Sequence, residues 1–206
     1  MKNAARILLA LLVIAGPAAG QDSSAGLKVG PLLSFGGDER SSSIYGPQDF
    51  LGLKIGLFYA RRVSPVFAIQ AETYFAIKGV DSWDYHLGSD FAQFNYVEFP
   101  LLLNVRTADG ILEFFAGPYV ALLLSHTPLE GHRWTSPHNE LKSNDVGACH
   151  GVRVWIRNTS IELQYVHGFI NILPSYPDRG YYNRALVFQV GYRFLGRSNR
   201  GPALHH

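Results

Sequence analysis

Residues 94–106 read FNYVEFPLLLNVR. Val97, Phe99, Leu101, Leu103 and Val105 fall on one parity, and Tyr96, Glu98, Asn104 and Arg106 on the other. A side-chain period of two belongs to a β-strand, whose residues point alternately to opposite faces of a sheet. One face of this strand is wholly apolar and the other mixed.

The pattern recurs along the chain. Segments with it lie near 27–35, 50–60, 66–78, 94–106, 111–124, 145–156, 160–169 and 183–194. In the second, Leu51, Leu53, Ile55, Leu57 and Tyr59 oppose Gly52, Lys54, Gly56, Phe58 and Ala60; in the third, Phe67, Ile69, Ala71, Phe75 and Ile77 oppose Gln70, Glu72, Tyr74 and Lys78. In the last, Leu186, Phe188, Val190, Tyr192 and Phe194 oppose Gln189, Gly191 and Arg193. A soluble sandwich would also alternate, so the choice of solvent rests on three further features. The segments are longer than the roughly 5–6 residues usual in globular sheets and match the roughly 9–11 that cross a bilayer at a tilt. The mixed face is rich in glycine and tyrosine (Gly52, Gly56, Gly117, Tyr119, Gly147, Gly151, Gly191), which suits a narrow barrel interior. Connections alternate in length: Arg61 to Pro65, Thr107 to Gly110 and Arg157 to Thr159 are tight, and 36–49, 79–93, 125–144 and 170–182 are long. Tight turns on one side and long loops on the other mark an outer-membrane barrel, whose closure leaves no unpaired edge in lipid. The predicted fold is all-β, an eight-stranded antiparallel up-and-down transmembrane barrel.

Composition agrees. The 206 residues are 47% hydrophobic and only 17% charged, against roughly 25% charged in ordinary soluble domains. The formal charge of +2 comes from Lys2 and Arg6, and residues 21–206 sum to zero, which disfavours a nucleic-acid partner. A solitary Cys149 excludes an internal disulfide framework and a cysteine-based zinc site.

At the amino terminus, Lys2 and Arg6 precede the apolar run 7–15, the breaker Gly16-Pro17 and the small residues Ala18, Ala19 and Gly20. This is the layout of a cleaved secretory signal peptide, with an apolar run too short to span a membrane. The expected organisation is a signal peptide over 1–20, the barrel over 21–196 and a polar tail over 197–206. Barrels commonly end on an aromatic residue; here Tyr192 and Phe194 fill that place, with the tail in the periplasm.

The residues also carry a family resemblance. Asn95 to Leu103, with Tyr96, Glu98 and Pro100, is similar to the N-Y-[LV]-E-[IF]-P-L-L-L strand of the PorT-like outer membrane β-barrel domain family of Bacteroidetes-type bacteria. Phe115 to Tyr119, with Gly117, Pro118 and Tyr119, resembles that family's A-G-P-Y strand. Gly26 to Gly30, Gln70 to Tyr74 followed by Lys78-Gly79, Asp145 to Gly147, and Phe188 to Phe194 also match, in order. The resemblance implies an eight-stranded barrel in the outer membrane. It implies no activity; PorT itself is associated with a secretion and gliding apparatus, and no motif here transfers that role.

Glu72, Glu98, Glu113 and Glu162 share the inward parity with Lys54, Lys78, Arg106, Arg153 and Arg193. An unpaired charge in a closed interior costs several kcal/mol, so these nine residues are expected to form a charge-paired plug rather than an ion path. Of the eight histidines, His86, His126, His132 and His138 are expected in long loops, His205 and His206 in the tail, and His150 and His167 on the lipid face. No metal-ligand spacing occurs among them. Ser125-His126, or His167 with Ser175, mimics part of a lipid-hydrolase site. Aromatic residues near strand ends, including Tyr45, Phe50, Tyr59, Trp83, Tyr85, Phe91, Phe94, Tyr96, Trp134, Trp155, Tyr181 and Tyr182, read as interfacial girdles. Asn158-Thr159-Ser160 is turn chemistry.

The expected protein is therefore a small outer-membrane barrel with no open pore, no catalytic residue, no cofactor and no metal. Its role is structural or recognitional, exercised through its outer loops or within an envelope or secretion complex. Expected partners are outer-membrane lipid and, during insertion, the barrel-assembly machinery, with no nucleic acid. The alternatives are a lipid- or lipopolysaccharide-modifying enzyme and a secreted lipocalin-like barrel with a ligand in its lumen.

Overall fold

A computed structural model of the chain describes residues 23–35, 47–84, 88–127, 142–172 and 182–196. Those residues form β1 (Ser23–Phe35), β2 (Pro47–Gln48), β3 (Phe50–Arg62), β4 (Phe67–Asp84), β5 (Gly88–Arg106), β6 (Leu112–Thr127), β7 (Asn144–Ile156), β8 (Thr159–Gly168) and β9 (Arg184–Leu195). β2 is a two-residue prelude to β3 that pairs with Asp81 and Ser82 of β4. The eight long strands make one sheet in the order β4-β3-β1-β9-β8-β7-β6-β5, and β4 pairs with β5 to close it. Every pairing is antiparallel. No helix among the described residues is long and apolar enough to cross a membrane, a statement that does not bear on barrels.

The register fixes the barrel's shape. Directly opposed residues run Ser23, Arg61, Ile69, Leu103, Ala116, His150, Tyr165, Leu186 and back to Leu33. One circuit thus climbs ten residues along β1, from Ser23 to Leu33. For eight strands this stagger corresponds to a strand tilt of about 40°, within the range of membrane barrels.

Alternation sorts the side chains. Leu53, Ile69, Leu101 and Phe188 point outward and are 40–49% exposed. With Leu27, Val29, Ile55, Leu57, Phe75, Leu103, Ile161, Leu163 and Val190 they make an apolar wall around the whole barrel. A water-soluble protein rarely exposes a contiguous apolar patch beyond a few hundred Å²; hydrocarbon removes the conflict. Inward, glycines and aromatic rings are cross-strand partners: Gly26 opposes Phe58, Gly56 opposes Tyr74, and Gly151 and Gly147 oppose Phe115 and Tyr119. The rings lie so close over these glycines that a Cβ on Gly151 would meet Phe115 Cζ at 2.5 Å, and one on Gly147 would meet Tyr119 Cε1 at 2.5 Å. Glycine on the inward parity is what lets large rings lie flat in a narrow lumen.

The turns are built by local polar contacts. Between β5 and β6, Asp109 Oδ1 accepts from Ile111 N at 3.0 Å and Thr107 Oγ1 accepts from Leu112 N at 3.2 Å, while Gly110 takes φ 71°. Between β7 and β8, Arg157 takes φ 58° in a turn of Arg157 and Asn158.

Three sequence expectations change. Residues 79–93 are mostly strand: Val80 to Asp84 pair with Gly88 to Ala92. The backbone pairing of this hairpin extends both strands beyond the stretches where alternation of residue type signals a strand. His126 is the penultimate residue of β6, opposite Phe94, and not in a loop. Trp155, Phe94 and Tyr96 belong to no girdle; they are inward and at most 5% exposed. Tyr59 and Tyr182 are half-buried. The proposed signal peptide and tail, Tyr45, Tyr85, His86, His132, Trp134, His138, Ser175 and Tyr181 lie outside the described residues, as do the side chains of Trp83 and Phe91.

Candidate functional site

The chemistry-bearing side chains meet in the lumen, in three tiers. In the tier toward the long connections, Asp145 is fully buried; its Oδ2 accepts from Tyr119 Oη at 2.7 Å and from Asn183 Nδ2 at 3.0 Å. Below it, Glu98 is held between Lys54 at 2.9 Å and Lys78 at 2.5 Å. Lys54 also donates to Gln164 Oε1 at 3.0 Å and sits 4.2 Å from the Tyr74 ring centroid. Cation–π contact of this kind suits a desolvated ammonium.

The third tier is the densest. Lys28 bridges Glu72 and Glu162, the latter at 2.8 Å. Arg153, with no solvent exposure, donates through Nε to Glu162 at 2.6 Å and through Nη1 to Glu113 and to Gln70 Oε1, the last at 3.1 Å. Gln70 Nε2 donates to Glu72 at 2.5 Å, and Asn104 Nδ2 to Gln70 Oε1 at 3.0 Å. Arg106 closes the network from the short-turn end with two bonds to Glu113 Oε2, at 3.0 and 2.6 Å. Four fully buried cations (Lys28, Lys54, Lys78, Arg153) thus meet four carboxylates (Glu72, Glu98, Glu113, Glu162). Charge balance of this kind is what a low-dielectric interior demands.

Eight of the nine lumen residues expected from parity are in this ion-paired network. The ninth, Arg193, lays its guanidinium 4.0 Å from the Trp155 ring centroid, at a small vestibule lined with Arg62, Arg106, Glu113 and Ser23. Lys28 was not singled out by sequence reasoning, although it stands on the same parity as Gly26 and Gly30; its two partners are 44 and 134 residues away. Of the motif residues, Tyr96, Glu98 and Tyr119 are buried inward, Pro100 opposes Tyr119 on the neighbouring strand, and Gly117 and Pro118 oppose Cys149 and Ala148. Gly117 is needed where it is, since a Cβ there would meet Leu101 O at 2.0 Å.

No group of three or more His, Cys, Asp or Glu suited to a metal ion occurs among the described residues. Ser125 Oγ accepts from Asn95 Nδ2 at 2.9 Å, and no carboxylate joins it or His126 among the described residues. His150 and His167 face outward on β7 and β8, as their parity requires.

A closed antiparallel barrel, apolar outside and ion-paired inside, with tight turns at one end, is a transmembrane barrel of the outer-membrane type. The chain belongs to the outer membrane protein beta-barrel domain family, whose model matches residues 19–173. It is located in the outer membrane and contacts membrane lipid. No curated protein sequence matches it. The fold is similar to that of Neisserial surface protein A, at 10% identity and TM-score 0.51 over 84% of this chain and 97% of that one. It is also similar to the outer membrane protein OprG from Pseudomonas aeruginosa, at 8% identity and TM-score 0.50 over 85% and 98%.

Proposed function

We propose that this barrel is a recognition element of the outer membrane, acting through its outer connections or as a subunit of an envelope complex, without catalysis or conduction. The observation that carries the reading is the filled lumen. From Asp145 through Glu98 to Arg153 and Arg106, side chains occupy successive tiers and neutralise each other, so the interior supplies rigidity in place of a channel. A lipocalin-like role needs an apolar lumen cavity, and the ion pairs occupy that space. The recognition role falls to the connections 36–46, 128–141 and 173–181, which join strand ends opposite the tight turns.

In this reading, residues 1–20 direct export and are removed, Tyr192 and Phe194 present the strand end to the barrel-assembly machinery, and residues 197–206 trail in the periplasm. The motif strands around Glu98 and Gly117 resemble the PorT-like family, a resemblance that implies the barrel and carries no activity of its own. Photoreactive amino acids placed at Ser125 and Lys142 in living cells test this: a discrete protein or glycan adduct is expected. Liposomes carrying the purified barrel should show no swelling in small sugars. Solute-dependent swelling, or adducts with bulk lipid alone, would overturn the proposal.

A further inference from the structure

On β7, β8 and β9 the outward side chains His150, Tyr165, His167 and Arg184 bring polar groups together across adjacent strands, whereas the other polar outward residues, Asn144, Thr159 and Tyr192, stand outside this cluster. His150 opposes Tyr165, and His167 opposes Arg184. Tyr165 Oη lies 3.3 Å from His167 Nδ1, its ring stacks on Phe35 with centroids 6.2 Å apart, and the Arg184 guanidinium is 6.0 Å from the Tyr182 ring centroid. Arg184 begins β9 at the end of the long connections, which is the outer-leaflet end of a barrel of this type.

Beneath this polar group runs a shallow, open apolar groove on the same wall, lined by Phe114, His150, Val152, Leu163, Tyr165 and Leu186. Its floor is shallow because the outward residue between Phe114 and Pro118 on β6 is the small Ala116, opposite His150. The groove therefore descends from a cationic head into the hydrocarbon region. Its chemistry is that of an amphiphile read from outside: guanidinium and imidazole donors for an anionic oxygen, then an apolar channel for a chain. An arginine on a lipid-facing wall costs least at the interface, where phosphate headgroups lie.

We infer that His167 and Arg184, with Tyr165 between them and the groove, bind a phosphorylated, acylated glycolipid of the outer leaflet. The phosphate sits at His167 and Arg184, and one acyl chain lies along Phe114, Val152 and Leu163. Charge complementarity selects an anion, and the apolar lining of the groove below Arg184 selects one with a chain attached.

Native mass spectrometry of the full-length barrel released from detergent, with three defined lipids added in turn, tests this. The lipids are bis-phosphorylated lipid A, the same lipid dephosphorylated, and phosphatidylglycerol. Bis-phosphorylated lipid A is expected to bind about tenfold or more tighter than the dephosphorylated form, the order of one or two charge-assisted hydrogen bonds, and tighter than phosphatidylglycerol. The double variant His167→Asn, Arg184→Gln should lose that preference while keeping the heat-modifiable gel shift of a folded barrel; Val97→Ala on another part of the wall should not alter it. Equal binding of the phosphorylated and dephosphorylated lipids, equal binding of phosphatidylglycerol, or an unchanged preference in the folded double variant would overturn the assignment. Should the double variant fail to fold, the comparison of the three lipids on the unaltered barrel decides alone.

Discussion

Replacing Arg153 with methionine is expected to lower the unfolding free energy of the refolded barrel by about 3–5 kcal/mol, the cost of leaving buried charge uncompensated. Arg153 donates to two carboxylates and an amide at once, Glu162, Glu113 and Gln70. Its guanidinium also lies 4.9 Å from the Phe115 ring centroid, so its stem and head both fill space. Methionine keeps much of the volume and removes the charge, which leaves Glu162 with Lys28 alone and Glu113 with Arg106 alone. Arg153→Lys should recover only part of the loss, since an ammonium cannot reproduce the fork that spans both acids. Urea unfolding in micelles, followed by the heat-modifiable gel shift, gives the comparison. A methionine variant within about 0.5 kcal/mol of the parent, the range of ordinary surface substitutions, would show that the network does not hold the fold together.

Leu101→Arg is expected to cost about 2–4 kcal/mol, the depth-dependent penalty for a cation on a barrel's lipid face near the bilayer midplane. Leu101 is central among the outward residues of β5, between Asn95 at one end and Val105 at the other, and is 40% exposed. Were water its solvent, arginine at so open a site would be nearly neutral, within about 0.5 kcal/mol. The two solvents thus give different magnitudes for one substitution. Equilibrium unfolding in lipid vesicles reads the difference, with Asn95→Arg at the outer rim as the position where the penalty should fall to about 0–1 kcal/mol.

What the sequence reveals of this fold depends on where each strand meets hydrocarbon. Along β3 and β5 the lipid-facing and lumen-facing residues alternate without interruption, so Leu53 and Lys54, or Val97 and Glu98, declare their faces directly. The register of eight strands then brings acids and bases together, and parity alone lists most of the network. Three features escape it for physical reasons. Lys28 stands between Gly26 and Gly30 on a strand with no other inward charge, and its partners Glu72 and Glu162 belong to strands remote in sequence. The β4–β5 hairpin beyond Gly79 is held by backbone pairing in a stretch whose sequence is polar at Asp81, Ser82, Asp84 and Asp90 and carries no alternation. Trp155 reads as an interfacial aromatic by its place near a strand end, whereas its odd parity on β7 turns it inward beneath Arg193.

Lipid-facing histidine and arginine were visible in sequence only as breaks of parity. Pairing gives them meaning, because His150, Tyr165, His167 and Arg184 come from three strands and meet only when β7, β8 and β9 are in register.

The claim beneath every part of this account is that hydrocarbon wets the outer face of the sheet. Nitroxide labels at Leu53, Ile69, Leu101 and Phe188 of the barrel in lipid vesicles measure it through collision with oxygen, which concentrates in hydrocarbon, and with a water-soluble nickel chelate, which does not. All four labels should be relaxed strongly by oxygen and scarcely by nickel; strong nickel relaxation at those positions, or immobile labels shielded from both reagents, would contradict it.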